Sequence, residues 1–329
     1  MGSQAFRLMR QAWNRRSTSI HSLSGKQGLL CLIALMRVYT VRTRSKKISF
    51  ITATFRQPIR LKRAISSLLA QANPNWEMVI SPDDGENYEH FSQYDHRIRV
   101  VSTAEKHTGA GMARNRGRAI ASGDYIAVLD DDDLVTKTFV HDVLQALESA
   151  HTVTVPTAYV RENGHLIREV GAGHSEIDIP RFSRELGSMH VISEQRVHQP
   201  WRDCFAEDVL HTCIAIANAG GKIPVVDSTR YVGIVRQDST CTTRRDIGPE
   251  YERLIRLGFP DLPGQAASDI RRLFEYRHKT NTAFEESAIK ATGYHEILSS
   301  LDLVSGTKST KPALDLSAVN VSLPRAVSP

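Results

Sequence analysis

From residue 48 the chain alternates short apolar runs with segments of helical period. ISFITAT (48–54) is rich in apolar and β-branched residues, as a buried strand requires. PIRLKRAISSLLAQ (58–71) follows, with Pro58 suited to a first helical turn and Leu61, Ile65, Leu68 and Leu69 on one face. WEMVI (76–80) and RIRVVS (97–102) read as further strands, the first ending in the turn-rich SPDDGEN. GAGMARNRGRAIA (109–121) is a glycine-rich entry into a helix closed by Ser122-Gly123. DYIAVLD (124–130) is a fourth strand, and KTFVHDVLQALESA (137–150) the next helix. Strands alternating with helices predict a parallel sheet with helices on its faces.

The second half has a different rhythm. Residues 152–170 predict a strand and a hairpin turning at Asn163-Gly164, and SMHVIS (188–193) another strand. EDVLHTCIAIANAGG (207–221) reads as a helix with a glycine stop, followed by two short strands in KIPVVD and RYVGIVR. Residues 248–290 have helical character, while 305–329 lack any period and read as a flexible tail.

In open α/β sheets ligands bind beyond the carboxyl ends of the strands. Thr52–Arg56, Asp83–Gly85 and Asp130–Asp133 all fall at such ends. The run of four aspartates needs a physical reason, because adjacent carboxylates repel one another and resist desolvation. Either a cation offsets them or they form a solvated loop.

Charge changes the picture at the N-terminus. The chain carries a net +6, yet residues 1–47 hold ten Lys and Arg and no acid, which leaves −4 on the remainder. Within this basic arm GLLCLIALM (28–36) is apolar but far shorter than the ~20 residues that cross a bilayer. Basic flanks around such a run suit either an anionic membrane surface or packing on the body. Four cysteines without C-x-x-C spacing suit a reduced, cytoplasmic setting, and the 13 histidines form no ligand motif.

Five segments, taken in order, resemble the family 2 glycosyltransferases, nucleotide-sugar-dependent enzymes of the GT-A fold. They are TATFRQPIRLKRAISSLLAQ, PDDGEN, TGAGMARNRGRAIASGDYIAVLDDDD, AEDVLHTCIAIANAGGKIPVVD and VRQDST. The third is similar to the family's A-R-N-x-G, A-x-G and D-x-D-D pattern, and the fourth to its E-D helix. The resemblance implies an α/β GT-A fold, a Rossmann-like mixed sheet flanked by helices. It places a glycosyltransferase domain at 48–245, between the basic arm (1–47) and a helical C-terminal extension (246–304) that ends in the tail (305–329).

The resemblance also implies roles. A divalent cation, Mg²⁺ or Mn²⁺, would bridge the diphosphate of the donor and be held by Asp132, with Asp130 near the ribose, Asp133 in support and Asp131 at the variable position. Thr52, Thr54 and Arg56 would line the nucleoside pocket, Asp83 would accept from the base, and Arg114 would face the diphosphate. Gly109 and Gly111 would let backbone approach the ligand. Asp208 would be the base of an inverting transfer to an acceptor hydroxyl, with Glu207 beside it. Trp201 could stack on a sugar or belong to the core. The late segment has Arg236 and Asp238 where the family often carries a metal-binding histidine. The acceptor implied is a surface glycan or lipid-linked saccharide at the cytoplasmic membrane face, with the arm as a peripheral contact.

Other classes fit less well. LDDDDL nearly matches the D-x-D-x-[T/V] motif of haloacid-dehalogenase-like phosphatases, but three strands precede it and Leu134 stands where Thr or Val belongs. Nucleotidyltransferases want a glycine-rich loop after the first strand, and TATFRQP has none. A non-catalytic sugar- or nucleic-acid-binding protein would leave the D-x-D-D and E-D elements idle. A transferase acting on DNA bases would meet a body of net negative charge.

Overall fold

The structure, a computed structural model, describes residues 45–236 and 247–286, with 294, 295 and 298 beyond them. A six-stranded sheet forms its centre. It is built from β1 (Ile48–Thr54), β2 (Trp76–Pro82), β3 (Ile98–Val100), β4 (Tyr125–Val128), β6 (Thr152–Thr154) and β10 (Val191–Glu194), in the order β3-β2-β1-β4-β10-β6. The first four strands are parallel, while β10 runs antiparallel to both β4 and β6. The sheet is therefore mixed, as the family resemblance implies, rather than wholly parallel as the alternation alone predicts.

A second sheet, β5-β12-β7-β8, comprises β5 (Leu134–Val135), β7 (Thr157–Arg161), β8 (Leu166–Val170) and β12 (Tyr231–Val235). Pro156 separates β6 from β7, so the 152–161 stretch feeds one strand to each sheet. The hairpin turns at Gly164, whose φ of 82° no β-branched residue would tolerate. A small ribbon pairs β9 (Glu176–Asp178) with β11 (Lys222–Pro224).

Helices cover both faces of the main sheet. On one side Ile48, Phe50, Met78 and Ile80 pack with Leu61, Ile65 and Leu68 of α1 (Pro58–Leu69) and with Phe139 and Val143 of α3 (Phe139–Ala146). On the other, Ile51, Val79, Ile126 and Val128 face α2 (Ala110–Ile120). Gly117 lets α2 lie close to the sheet, since a Cβ there would meet Ile51 Cγ2 at 2.7 Å.

The remaining helices are α4 (Ile179–Glu185), α5 (Glu207–Asn218), α6 (Gly248–Leu257) and α7 (Gly264–Glu286). Phe182, Leu210, Ile214, Tyr251, Leu254, Ile270 and Phe274 bury one another, so α6 and α7 share a core with α4 and α5. No described helix is long and apolar enough to cross a membrane. The basic arm up to residue 44, the tail and Asp238 lie outside the described residues.

Glu77 ties β2 to β1 and to the turn before β4. Its buried carboxylate accepts from Ser49 Oγ (2.6 Å), Ser122 N (2.6 Å) and Oγ (2.7 Å), Gly123 N (3.1 Å) and Lys47 Nζ (3.0 Å). Burial opposes its charge, but these donors outweigh burial and hold its pKa at about 2. Glu77 thus contributes stability that is fully present above its ordinary value of 4.5 and is lost as pH falls through about 2. Glu77→Gln should lower stability at pH 7 by about 2 kcal/mol, the scale of charge-assisted hydrogen bonds lost from a buried site. Urea unfolding should show that penalty shrinking as pH approaches 2.

Candidate active site

The carboxyl ends of β1, β2 and β4 lie at one edge, since Thr54 is in register with Pro82 and Ile51 with Val128. Above that edge is a cavity of about 720 Å³. Thr54, Asp83, Arg114, all four aspartates of 130–133 and Arg236 line it. Residues separated by more than 180 positions are thereby gathered at one crevice. The aspartates form the crossing between the two sheets, because β4 ends at Val128 and β5 begins at Leu134.

Each aspartate has a different environment. Asp130 Oδ1 accepts from Arg114 Nη2 (2.6 Å), and its backbone N donates to Tyr231 OH (3.1 Å). Burial raises its pKa, but Arg114 outweighs burial and keeps it ionised below the ordinary value. Asp131 turns toward β1, accepting from Thr54 Oγ1 (2.7 Å) and Phe55 N (3.3 Å). Burial, and next the charge of Asp132, push it up to about 7. Asp132 pairs with Arg236 and keeps more than a quarter of its side chain exposed. Asp133 points into the second sheet, accepting from Tyr231 OH (3.0 Å) and Ile234 N (2.8 Å). Burial and the charges of Asp132 and Asp130 raise it well above the carboxylate range. The run is a turn, closed by Asp133 N donating to Asp130 O (3.2 Å), so its four side chains leave in different directions, with Arg114 and Arg236 the cationic partners of Asp130 and Asp132.

Arg114 is buried between two carboxylates, donating from Nη1 to Glu207 Oε1 (2.6 Å) and from Nη2 to Asp130. Burial disfavours its charge, but Asp130 and Glu207 more than restore it. It therefore links the β4 crossing to the start of α5, and it lines the cavity as well. Asp208 does not line the cavity. It is half-buried, with Oδ2 accepting from Ser188 Oγ (2.6 Å). His190 Nε2 stands 3.8 Å from Asp130 Oδ2, and burial lowers its pKa, so at pH 7 the ring is neutral and this is not an ion pair.

Asp83 organises a loop. Its Oδ1 accepts from Thr108 Oγ1 (2.6 Å) and Arg116 Nη2 (2.7 Å), and its Oδ2 from Gly109 N (2.8 Å). Asp84 holds the opposite loop through Arg56 N (2.6 Å) and Tyr88 OH (2.8 Å). Gly109 has φ 88° at the start of α2 and lines the cavity, whereas Gly111 faces the protein. A Cβ on Gly111 would sit 2.8 Å from Arg202 O and 3.1 Å from Glu207 Cγ. Its role is close helix packing beside the Arg114–Glu207 pair, not approach to a ligand.

Two further expectations, for Thr52 and Arg56, need correcting, and the open alternative at Trp201 is decided. Thr52 is not beyond the first strand: β1 runs on to Thr54, and Thr52 is fully buried within it, away from the cavity lining. Trp201 is 3% exposed and stacks on His211 with ring centroids 4.6 Å apart, so its indole is core and no face is open to a sugar. Arg56 is exposed at the rim with φ 56°, and Phe55, Gln57 and Arg60 line the cavity there instead. The described non-glycine residues with positive φ are Arg56, His107, Leu186 and Ala206. Each borders a site segment, where such conformations tend to be retained.

The sequence reading missed Arg116, His190, Tyr231, Tyr159 and His295. Arg116 stands two residues after Arg114 in ARNRG, and Tyr231 opens the alternating YVGIV strand, so both carried a faint signal. His190, Tyr159 and His295 carried none. Among the described residues no group of three or more His, Cys, Asp and Glu is gathered as a metal cage.

Comparison with known proteins agrees with this architecture. Residues 49–188 match the family described as "Glycosyl transferase family 2". TuaG of Bacillus subtilis, a putative teichuronic acid biosynthesis glycosyltransferase, is 36% identical over 91 residues, which is 26% of this chain and 36% of TuaG. The WfgD glucosyltransferase of Escherichia coli, which uses UDP-Glc and a GlcNAc-diphosphoundecaprenol, is 36% identical over 90 residues, 26% of this chain and 35% of WfgD. The chain thus spans about a third of the length of these two relatives. The structure of S. aureus TarS 1–349 in complex with UDP-GlcNAc superposes with a TM-score of 0.60 at 18% identity, covering 78% of this chain and 81% of that one. At that identity the likeness is one of fold. Five segments legible in the sequence, a mixed sheet with its aspartates at the crossing and the match over 49–188 converge: residues 49–188 are a family 2 glycosyltransferase segment, and the chain has the GT-A fold.

Proposed function

We propose that this protein transfers a glycosyl group from a nucleoside-diphosphate sugar to an acceptor hydroxyl, with inversion. The observation that carries this reading is the single cavity lined by Thr54, Asp83, Arg114 and Asp130–Asp133 at the strand ends. On this reading Thr54, Phe55 and Asp83, which line the cavity, would bound the nucleoside, and Asp130, Asp132, Arg114 and Arg236, which line it too, the diphosphate.

The residues present suit a divalent cation. Mg²⁺ and Mn²⁺ need only one or two protein carboxylates when diphosphate oxygens and water complete the shell. Asp132 offers hard oxygens and keeps solvent access, and a cation beside it would offset the carboxylate charge that, after burial, raises Asp131 and Asp133. Such an ion stabilises the charge that develops on the departing diphosphate. Arg236 would contact the diphosphate once a cation takes Asp132. Asp208 would accept the acceptor proton through Oδ1, while Ser188 holds Oδ2. Glu207 would fix Arg114 rather than exchange protons.

A lipid-linked or surface glycan is the acceptor that the relatives suggest, since WfgD is named for a diphosphoundecaprenol substrate. Such an acceptor would bring the enzyme to the cytoplasmic membrane face, with the basic arm serving as a peripheral anchor worth ~1 kcal/mol per Lys or Arg near an anionic surface. Deleting 1–47 should weaken salt-sensitive binding to phosphatidylserine-containing liposomes while donor hydrolysis in solution persists. Equal liposome binding by the truncated chain would rule out the anchor. The transfer reading itself is tested by incubating the full chain with UDP- and GDP-sugars and Mn²⁺ or Mg²⁺, following release of nucleoside diphosphate. Failure to bind or cleave any of them would overturn it.

A further inference from the structure

His295, beyond α7 in the C-terminal extension, lines the same cavity as the aspartates although it lies outside the matched family segment of 49–188. Its ring stacks on Tyr159 of β7, with centroids 3.7 Å apart and planes 21° apart. Arg168 Nε donates to His295 Nδ1 at 3.2 Å. Arg168 is itself buried and fixed by the carbonyls of Glu185 (3.0 Å) and Leu186 (2.7 Å). A guanidinium can only donate, so Nδ1 must be the accepting nitrogen and the ring proton must sit on Nε2. Burial first, then the charges of Arg168 and Arg277, hold His295 neutral. The ring is consequently a fixed hydrogen-bond donor, and a protonated Nε2 is no metal ligand.

The position of the pair narrows what that donor can meet. Tyr159 OH accepts from Ser188 N (2.9 Å), and Ser188 Oγ donates to Asp208, the candidate base. Gly233 leaves room for the Tyr159 ring, since a Cβ there would stand 3.0 Å from Tyr159 Cδ1. The stack therefore stands beside Gly233, on the stretch of cavity lining that runs to Arg236. A sugar joined to a diphosphate held at Asp132 and Arg236 would have this wall within reach, since Arg236, Gly233, Tyr159 and His295 line one cavity. An aromatic stack with one oriented donor matches the mixed apolar and hydroxyl character of a pyranose.

Building on the glycosyl-transfer reading, we propose that His295 binds and selects the donor glycosyl group, its Nε2–H donating to an oxygen of that sugar. The C-terminal extension then supplies a specificity-determining residue to the cavity of the family domain. Binding of UDP, GDP, UDP-glucose, UDP-N-acetylglucosamine, UDP-galactose and GDP-mannose to the full chain with Mn²⁺ tests this by calorimetry. The readout is the ratio of each sugar nucleotide's Kd to that of its own nucleotide.

His295→Asn keeps an acceptor near Arg168 but removes the donor at the Nε2 position, whereas His295→Gln reaches that position. His295→Asn should shift the ratio for the preferred sugar by about three- to tenfold, the effect of one neutral hydrogen bond, with UDP or GDP binding unchanged. His295→Gln should return the ratio toward wild type. An unshifted ratio in His295→Asn, with nucleotide still bound, overturns the assignment of His295 alone. If the wild type binds none of these nucleotides, the glycosyl-transfer reading fails instead. Should His295→Asn melt below the assay temperature, His295→Phe, which preserves an aromatic ring against Tyr159, is read by the same two outcomes.

Discussion

Asp208→Asn should cut transfer by ~10²-fold or more while leaving donor affinity close to wild type, the usual consequence of losing a general base. The geometry separates Asp208 from its neighbour Glu207. Both open α5, after Ala206 in the left-handed conformation. Glu207 is committed to Arg114, and through it to Asp130. Asp208 instead receives Ser188 Oγ on Oδ2. A base must keep one oxygen for the incoming hydroxyl, and a fixed second oxygen orients it. Glu207→Gln should therefore behave differently from Asp208→Asn. It weakens the clamp on a buried arginine, so it should impair donor binding as well as rate. Single-turnover kinetics with saturating donor, set beside donor binding by calorimetry, separates the two. Loss of affinity at unchanged maximal rate in Asp208→Asn would move Asp208 into the binding site.

How much of this was legible follows from where each residue's partners lie. The elements from β1 to α3 were readable because local period and turn chemistry agree with the fold there. Asp130–Asp133 stood out because four adjacent carboxylates are costly without a cation. Their separate fates were not readable, since they depend on Thr54, Tyr231, Ile234 and Arg236, up to 104 positions away. Thr52 was assigned to the pocket although the strand itself was read as 48–54; it lies two residues inside that strand and is fully buried there. Trp201 could not be resolved because its partner, His211, belongs to a helix whose packing no local pattern shows. His295 was beyond reach for the same reason: its contacts, Tyr159 and Arg168, lie more than 120 positions earlier, on the far hairpin.

Asp132→Asn should lower affinity for nucleoside diphosphate in Mn²⁺ by ~10²-fold or more, and turnover with it, as expected when a cation holding a diphosphate is lost. Excess chelator should reproduce the loss in the wild type and add little to the variant. Arg236 gives the contrast. It pairs with Asp132, and both residues line the cavity. If Asp132 served only to anchor Arg236, Asp132→Asn and Arg236→Ala should have matching effects, and neither should alter the response to metal. If Asp132 is the cation's ligand, the two variants part company. Arg236→Ala removes a positive charge that competes for Asp132, so metal dependence should persist and half-saturation by Mn²⁺ should not rise. Diphosphate binding should nonetheless weaken, because one of the charges facing the phosphates is gone. Titrating Mn²⁺ against fixed UDP in the wild type and both variants decides it. Full activity of the wild type in excess chelator would remove the cation from the mechanism and leave Asp132 as the partner of Arg236.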